Sequence, residues 1–307
     1  MPGIKKSRVE KAIIKRIELC RVAAGHKVHL ADYDTEWGGG DLRDRCTKEE
    51  LESLLTQDMT RLAKAQDLLY AASSWACLIV FQAMDAAGKD STIKHVMSGV
   101  NPQGCQVYSF KQPSAEELNH TFLWRCSKSL PERGRIGIFN RSHYEEVLAV
   151  KVHPEFLAAQ RIPGAKPTKE LWQGRYEDIN HFEQHLDRNG TRILKFFLHA
   201  SKEVQRERFL KRLSHPKKNW KYSPHDVQER KYWDDYVRAY EACLTHTSTD
   251  WAPWHIIPAD HKWVTRALVA EIIAREIAKL DLQYPQVDKE RREQFREARR
   301  LLERKKI

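Results

Sequence analysis

Five short apolar runs punctuate the chain, at about 77–82, 105–110, 135–140, 192–199 and 255–259. Each has strand length and ends in a small or polar cluster. Between them apolar residues recur every three or four positions. That spacing predicts helices over 4–22, 47–69, 89–99, 116–130, 144–152, 169–188, 202–213, 227–245 and 262–280. Thr47 followed by Glu50 forms a capping box for the second helix, whose Leu51, Leu54, Leu55, Met59, Leu62 and Leu69 fit one face. Asn189-Gly190 closes the 169–188 helix. Three stretches read as loops: the acidic, glycine-rich 31–45, the proline-bearing 153–168, and the polar 214–226, which has the length of a lid.

Strands alternating with helices predict an α/β fold, a parallel five-stranded sheet with right-handed crossovers and helices on both faces. No internal repeat and no second domain are visible. The expected division is an N-terminal extension (1–46), a core domain (47–285) with a lid at about 202–228, and a basic helical tail (286–307). In such sheets ligands bind at the carboxyl ends of the strands. That rule places Asp85, Lys89, Asn140, Arg141 and the residues after His199 on one rim.

Composition narrows the partners. At 307 residues and 41% hydrophobic, the chain can bury a real core. No apolar run approaches the roughly 20 residues that span a bilayer. Met1 to Arg8 lacks the apolar centre of a secretory signal, so a cytoplasmic protein without a membrane partner is expected. The six cysteines show no metal spacing and read as reduced, partly buried residues. A net charge of +11 calls for an anionic partner: nucleic acid, a membrane surface or a polyphosphate. Residues 289–306 hold nine Lys/Arg against four Glu, the pattern of a solvated helix. The denser group from Arg192 to Lys221, ten basic residues against two acidic, lies inside the domain and demands a further explanation.

The chemistry starts at Gln82-Ala-Met-Asp-Ala-Ala-Gly-Lys-Asp-Ser-Thr92, a small-residue loop between the first strand and a helix. Loop N–H groups, a helix N-terminus and the Lys89 ammonium converge there on one anion. The match to G-x-x-x-x-G-K-[ST] is incomplete. Ala83 stands at the first glycine, and Asp90 stands where a magnesium-binding hydroxyl is usual. Asp85 inside the loop would repel a polyphosphate unless a divalent cation bridged the two. Ala87, Gly88, Asp90 and Ser91 are candidate phosphate contacts.

Beside this loop the third strand ends Phe-Asn140-Arg-Ser-His-Tyr-Glu145. Asn140 could position magnesium or its waters, and Arg141 could fork a phosphate or serve a structural ion pair. Glu145 could touch a nucleotide or anchor Arg141, whereas His143 reads as a packing histidine. On the following basic stretch, Arg208 and Arg212 share a helix face, and Lys217, Lys218 and Lys221 interleave with Trp220 and Tyr222. Such a segment suits a lid over a chain of phosphates, or a grip on single-stranded nucleic acid.

These motifs resemble the polyphosphate kinase 2 family. The resemblance rests on residues 82–90, on Gly-Val-Asn-Pro-Gln-Gly (99–104), on 139–145 and on Lys-Phe-Phe-Leu-His-Ala-Ser-Lys-Glu (195–203). It continues through His-Pro-Lys-Lys-Asn-Trp-Lys (215–221) and Thr-Ser-Thr-Asp-Trp-Ala-Pro-Trp (247–254), spanning roughly 50–285. It implies a P-loop kinase-like fold with a helical basic lid, and transfer of a terminal phosphoryl between inorganic polyphosphate and a nucleotide. Magnesium, or manganese in its place, would be the cofactor. Asp85, Lys89, Arg141 and Arg212 match the family's catalytic positions. Arg208, Lys217, Lys218 and Lys221 would bind polyphosphate, and a dimer or tetramer is implied. Asn140, where many members have aspartate, is similar to the subgroup that accepts both nucleoside mono- and diphosphates. Two rivals remain: an ATP-dependent kinase of a small metabolite, and a non-enzymatic nucleic-acid-binding protein.

Overall fold

The computed structural model describes residues 8–37 and 46–304; the predicted glycine run at 38–40 and the two ends of the chain lie outside the described residues. Strands β1 (Ala76–Ala83), β2 (Cys105–Ser109), β3 (Ile136–Asn140), β4 (Thr191–His199) and β5 (Trp254–Pro258) form one sheet. Every pairing is parallel and the order is β2-β3-β1-β4-β5. Between them run α1 (Arg8–Cys20), α2 (Lys48–Ala72), α3 (Lys89–Val96), α4 (Ala115–Leu118), α5 (Trp124–Ser127), α6 (Ala149–Val152) and α7 (Pro154–Ala159). The chain continues through α8 (Lys169–Arg188), α9 (Lys202–Ser214), α10 (Pro224–Glu229), α11 (Trp233–Thr247), α12 (Lys262–Ala278) and α13 (Lys289–Arg304).

The period-two alternation of β1 explains the two layers. Cys77, Ile79 and Phe81 enter a core shared with α1, α2, α3 and α12, whereas Leu78 and Val80 enter the opposite core with α8 and α11. β1 is buried along its whole length, as a central parallel strand must be. The Thr47–Glu50 capping box starts α2 as the sequence predicts. All six cysteines are free and five are buried. Among the described residues no helix is long and apolar enough to cross a membrane.

Several elements depart from expectation: the helix predicted over 144–152 is a 3-10 turn (His143–Val147) followed by α6, and α7 lies within the predicted 153–168 loop, started by Pro154 at its first position. The single helix predicted over 116–130 is two short ones, because the Ser114 capping box opens a turn that ends at Asn119, and His120 then stacks on Trp124 at 3.9 Å. The 214–226 loop is ordered as a 3-10 segment (Pro216–Lys221) followed by α10, which Ser223 caps with Pro224 at its first position. The helix predicted from 227 accordingly restarts at Trp233. Residues 8–37 pack onto the core: Ile13 and Trp37 are buried, and the Val22 N–H donates to the Trp254 carbonyl at 2.9 Å.

The α2–α12 contact holds a buried carboxyl pair, Asp58 and Glu271, with Arg61 bridging them at 2.8 and 2.7 Å. Burial, then hydrogen bonding to Glu271, pushes Asp58 up from 3.8 to about 8. Between those values the folded protein holds a proton that the unfolded chain releases, so this group makes stability fall as pH rises across the window. Asp58→Asn keeps a donor without the titration. We expect it to raise stability by about 1–2 kcal/mol at pH 8 and by nothing near pH 4, read from urea unfolding at both.

Candidate active site

The rim at the carboxyl ends of β1 and β3 is built by backbone first. After Ala83 the chain turns through Met84-Asp-Ala-Ala-Gly88, with Ala86 at φ +60° and Gly88 at φ +110°. Gly88 is the residue before the first turn of α3, and its left-handed conformation suits glycine because no Cβ is present to clash. Lys89 folds back under this loop, where its Nζ donates to the Ala83 carbonyl at 3.1 Å. Burial pulls its pKa down, the nearby Arg141 adds to that, and Asp85, Glu145 and Asp90 oppose it.

Arg141 follows β3 at φ +63°, and its N–H donates to the Phe81 carbonyl of β1 at 3.1 Å. Its guanidinium lies 2.9 Å from Asp85 Oδ1 and 3.8 Å from Glu145 Oε2. Glu145 foremost, against the cost of burial and with Asp85 in support, raises its pKa, so the positive charge is fixed. Asn140 Nδ2 donates to Asp90 Oδ1 at 2.8 Å, tying the end of β3 to the start of α3. Ser91 Oγ donates to the Gly88 carbonyl at 3.0 Å. Asp85, Lys89, Asp90, Asn140, Arg141 and Glu145 thus meet within one constellation. His143 is buried, with Nε2 3.4 Å from Glu183.

The lid residues separate into different places. Arg208 turns inward: Nη1 donates to the Ala86 and Ala87 carbonyls (3.1 and 2.8 Å), and Nη2 to those of Ala259 and Asp260 (2.7 and 3.0 Å). It braces the phosphate loop against the end of β5. Arg212 is held by Asp226 Oδ2 at 3.0 Å and by the Lys221 carbonyl. Lys218 and Lys221 line a groove with the loop, whereas Lys217 stands exposed outside it.

That groove, about 770 Å³, carries ten basic side chains and two carboxylates, Asp85 and Asp90. Three of the basic residues, Lys94, Lys111 and Lys262, were not singled out by sequence. Lys111 and Lys262 follow β2 and β5, so the strand-end rule that found Arg141 could have found them. On the other side of Asp85 and Arg141 a smaller cavity is lined by Glu145, Gln205, Asp226, Trp233, Tyr236 and Tyr240, among others. Asp226 is pushed up by burial and by Asp85, against Arg212. Among the described residues no cluster of three or more His, Cys, Asp or Glu could hold a metal by itself. Asp85, the carboxylate within the loop, is the residue that could hold a divalent cation there.

Comparison with known proteins agrees with this geometry. The model of the family Polyphosphate kinase 2 (PPK2) matches residues 45–285. An ADP-polyphosphate phosphotransferase of Rhodopseudomonas palustris is 51% identical over 283 residues, covering 92% of this chain and 96% of its own. An AMP/ADP-polyphosphate phosphotransferase of Meiothermus ruber is 46% identical over 226 residues, 74% of this chain and 80% of its own. The crystal structure of Polyphosphate Kinase 2 from Arthrobacter aurescens TC1 superposes with a TM-score of 0.80 at 37% identity, covering 93% and 94% of the two chains. With the family model covering more than half of its length and a relative matched almost end to end, this chain belongs to the polyphosphate kinase 2 family.

Proposed function

We propose that the protein transfers the terminal phosphoryl group of inorganic polyphosphate to nucleoside mono- and diphosphates, converting AMP to ADP and ADP to ATP. The observation that carries this reading is the groove: its ten basic side chains exceed what a triphosphate needs and run on from the phosphate loop. A small-metabolite kinase would leave that excess unexplained. Family membership supports the same reading.

Polyphosphate would lie along the groove, its end over the phosphate loop, with the nucleotide on the Tyr236 side of Asp85 and Arg141. The acceptor oxygen attacks in line, one phosphoanhydride bond breaks as another P–O bond forms, and the shortened polyphosphate leaves. The acceptor phosphate is already ionised, so no strong general base is required. Lys89 and the loop N–H groups hold the reacting phosphates, and Arg141 answers the charge that grows on the transferring group. Arg212 joins it once polyphosphate displaces Asp226. Asp85 would hold magnesium, or manganese, through the substrate phosphates; the ion would supply charge neutralisation. The cavity beside Arg141 is lined by α10 and α11, the elements that would adjust around an entering acceptor.

The test is incubation of the protein with magnesium, long-chain polyphosphate and AMP or ADP, without ATP, with nucleotides separated by chromatography. ADP and ATP from AMP support the broad acceptor range. ATP from ADP alone keeps the polyphosphate reading and removes AMP, and no product from either sinks both. The groove makes a further prediction. Lys262→Ala should raise the polyphosphate KM by about 3- to 10-fold with the nucleotide KM unchanged, while Lys217→Ala, outside the groove, should leave both alone. Equal effects of the two would point to diffuse attraction instead of a defined track.

A further inference from the structure

A buried ion pair behind β4 takes no part in the chemistry above. The Lys195 and Glu183 side chains are both fully enclosed. Lys195 Nζ donates to Glu183 Oε2 at 2.6 Å, to the Tyr144 hydroxyl at 2.8 Å and to the Thr247 carbonyl at 2.7 Å. All three of its donors are used. The Tyr144 hydroxyl in turn donates to Glu183 Oε1 at 2.7 Å. Stability is a weak reason for such a pair, because apolar residues of the same volume often serve as well.

What the network does is join four elements. Lys195 sits in β4, Glu183 in α8, Thr247 at the end of α11, and Tyr144 in the 3-10 turn His143–Val147. That turn follows directly on Arg141, whose left-handed backbone persists only where its surroundings over-determine it. Ser142 Oγ accepts the Tyr144 N–H at 3.2 Å. The Gln82 carboxamide, with its nitrogen turned toward Glu145, donates to Oε1 at 3.0 Å. The segment carrying Arg141 and Glu145 is therefore held from β1 on one side and from the buried pair on the other.

We propose that Lys195, Glu183 and Tyr144 form a positioning network that holds the Arg141 turn so that its guanidinium faces the reacting phosphates. The proposal rests on the role given to Arg141 above. The test is a double-mutant cycle of Tyr144→Phe and Arg141→Lys, with kcat, both KM values and the melting temperature measured for each protein. Tyr144→Phe should lower kcat about tenfold with the polyphosphate KM within about twofold of the parent. In the Arg141→Lys background the same substitution should cost less than about twofold, because the group it aims is gone. An equal loss in both backgrounds, or an unchanged kcat in Tyr144→Phe, overturns the proposal. An Arg141→Lys protein with full activity overturns the catalytic role of Arg141 itself, and the proposal with it. If Tyr144→Phe fails to fold, the paired replacement of Lys195→Met with Glu183→Gln, which leaves no buried charge, takes its place in the same cycle with the same criteria.

Discussion

Lys89→Ala should lower kcat by about 10³-fold or more while the protein stays folded. The Lys89 ammonium sits beneath the phosphate loop, enclosed by protein, with the Ala83 carbonyl as its hydrogen-bond partner. In a water-poor site one fixed charge does far more than it would in solvent, and no neighbour can replace it. Arg208 is committed to four backbone carbonyls and Arg141 to two carboxylates. Lys89→Arg should fail almost as badly, since a planar fork does not fit the space of a buried ammonium. The depressed pKa of Lys89 adds a pH signature, because the charged form is lost earlier on the alkaline side than for a free lysine. The parent kcat/KM, which reports the free protein, should therefore fall at high pH before ordinary lysines titrate. Steady-state kinetics with circular dichroism and thermal melting make the check. A folded Lys89→Ala protein with more than about a tenth of parental activity would remove Lys89 from the mechanism.

Arg141→Ala should cost a comparable factor, about 10³-fold in kcat, by analogy with arginines that face a transferring phosphoryl group. Asp85 and Glu145 would also be left facing each other without the charge between them. Arg141→Gly separates chemistry from backbone. A non-glycine residue at φ +63° costs about 1 kcal/mol that glycine avoids. The glycine variant should match the alanine variant in lost activity yet melt at a higher temperature than it does. If it instead recovers activity, the role of position 141 is conformational and the guanidinium is incidental.

The sheet was legible in the sequence because each strand is a short apolar run stopped by a turn cluster, a local signal. The rim residues Asp85, Lys89, Asn140 and Arg141 were legible for the same reason: they sit at strand ends, where the fold class places ligands. Several of the failures have their physical origin in contacts between distant segments. Nothing local to Lys195 announces Glu183 or Tyr144 as partners, and nothing local to Arg208 says that it faces loop carbonyls 121 and 122 positions away. The second cavity, with Tyr236 and Tyr240, was hidden because their spacing is that of any helix face packed on a core. The break at Asn119 was readable in principle, since Ser114 and Glu117 form a second capping box and a cap so near Leu123 leaves room for one turn.

The brace at Arg208 bears on when order is acquired. A glycine-bearing loop left to itself would sample many shapes, and a ligand would have to select one at an entropic cost. Here two loop carbonyls are fastened to the end of β5 by the same guanidinium. The loop thus loses its freedom when the sheet assembles, long before a phosphate arrives. Binding energy from the polyanion is then not spent on ordering the loop.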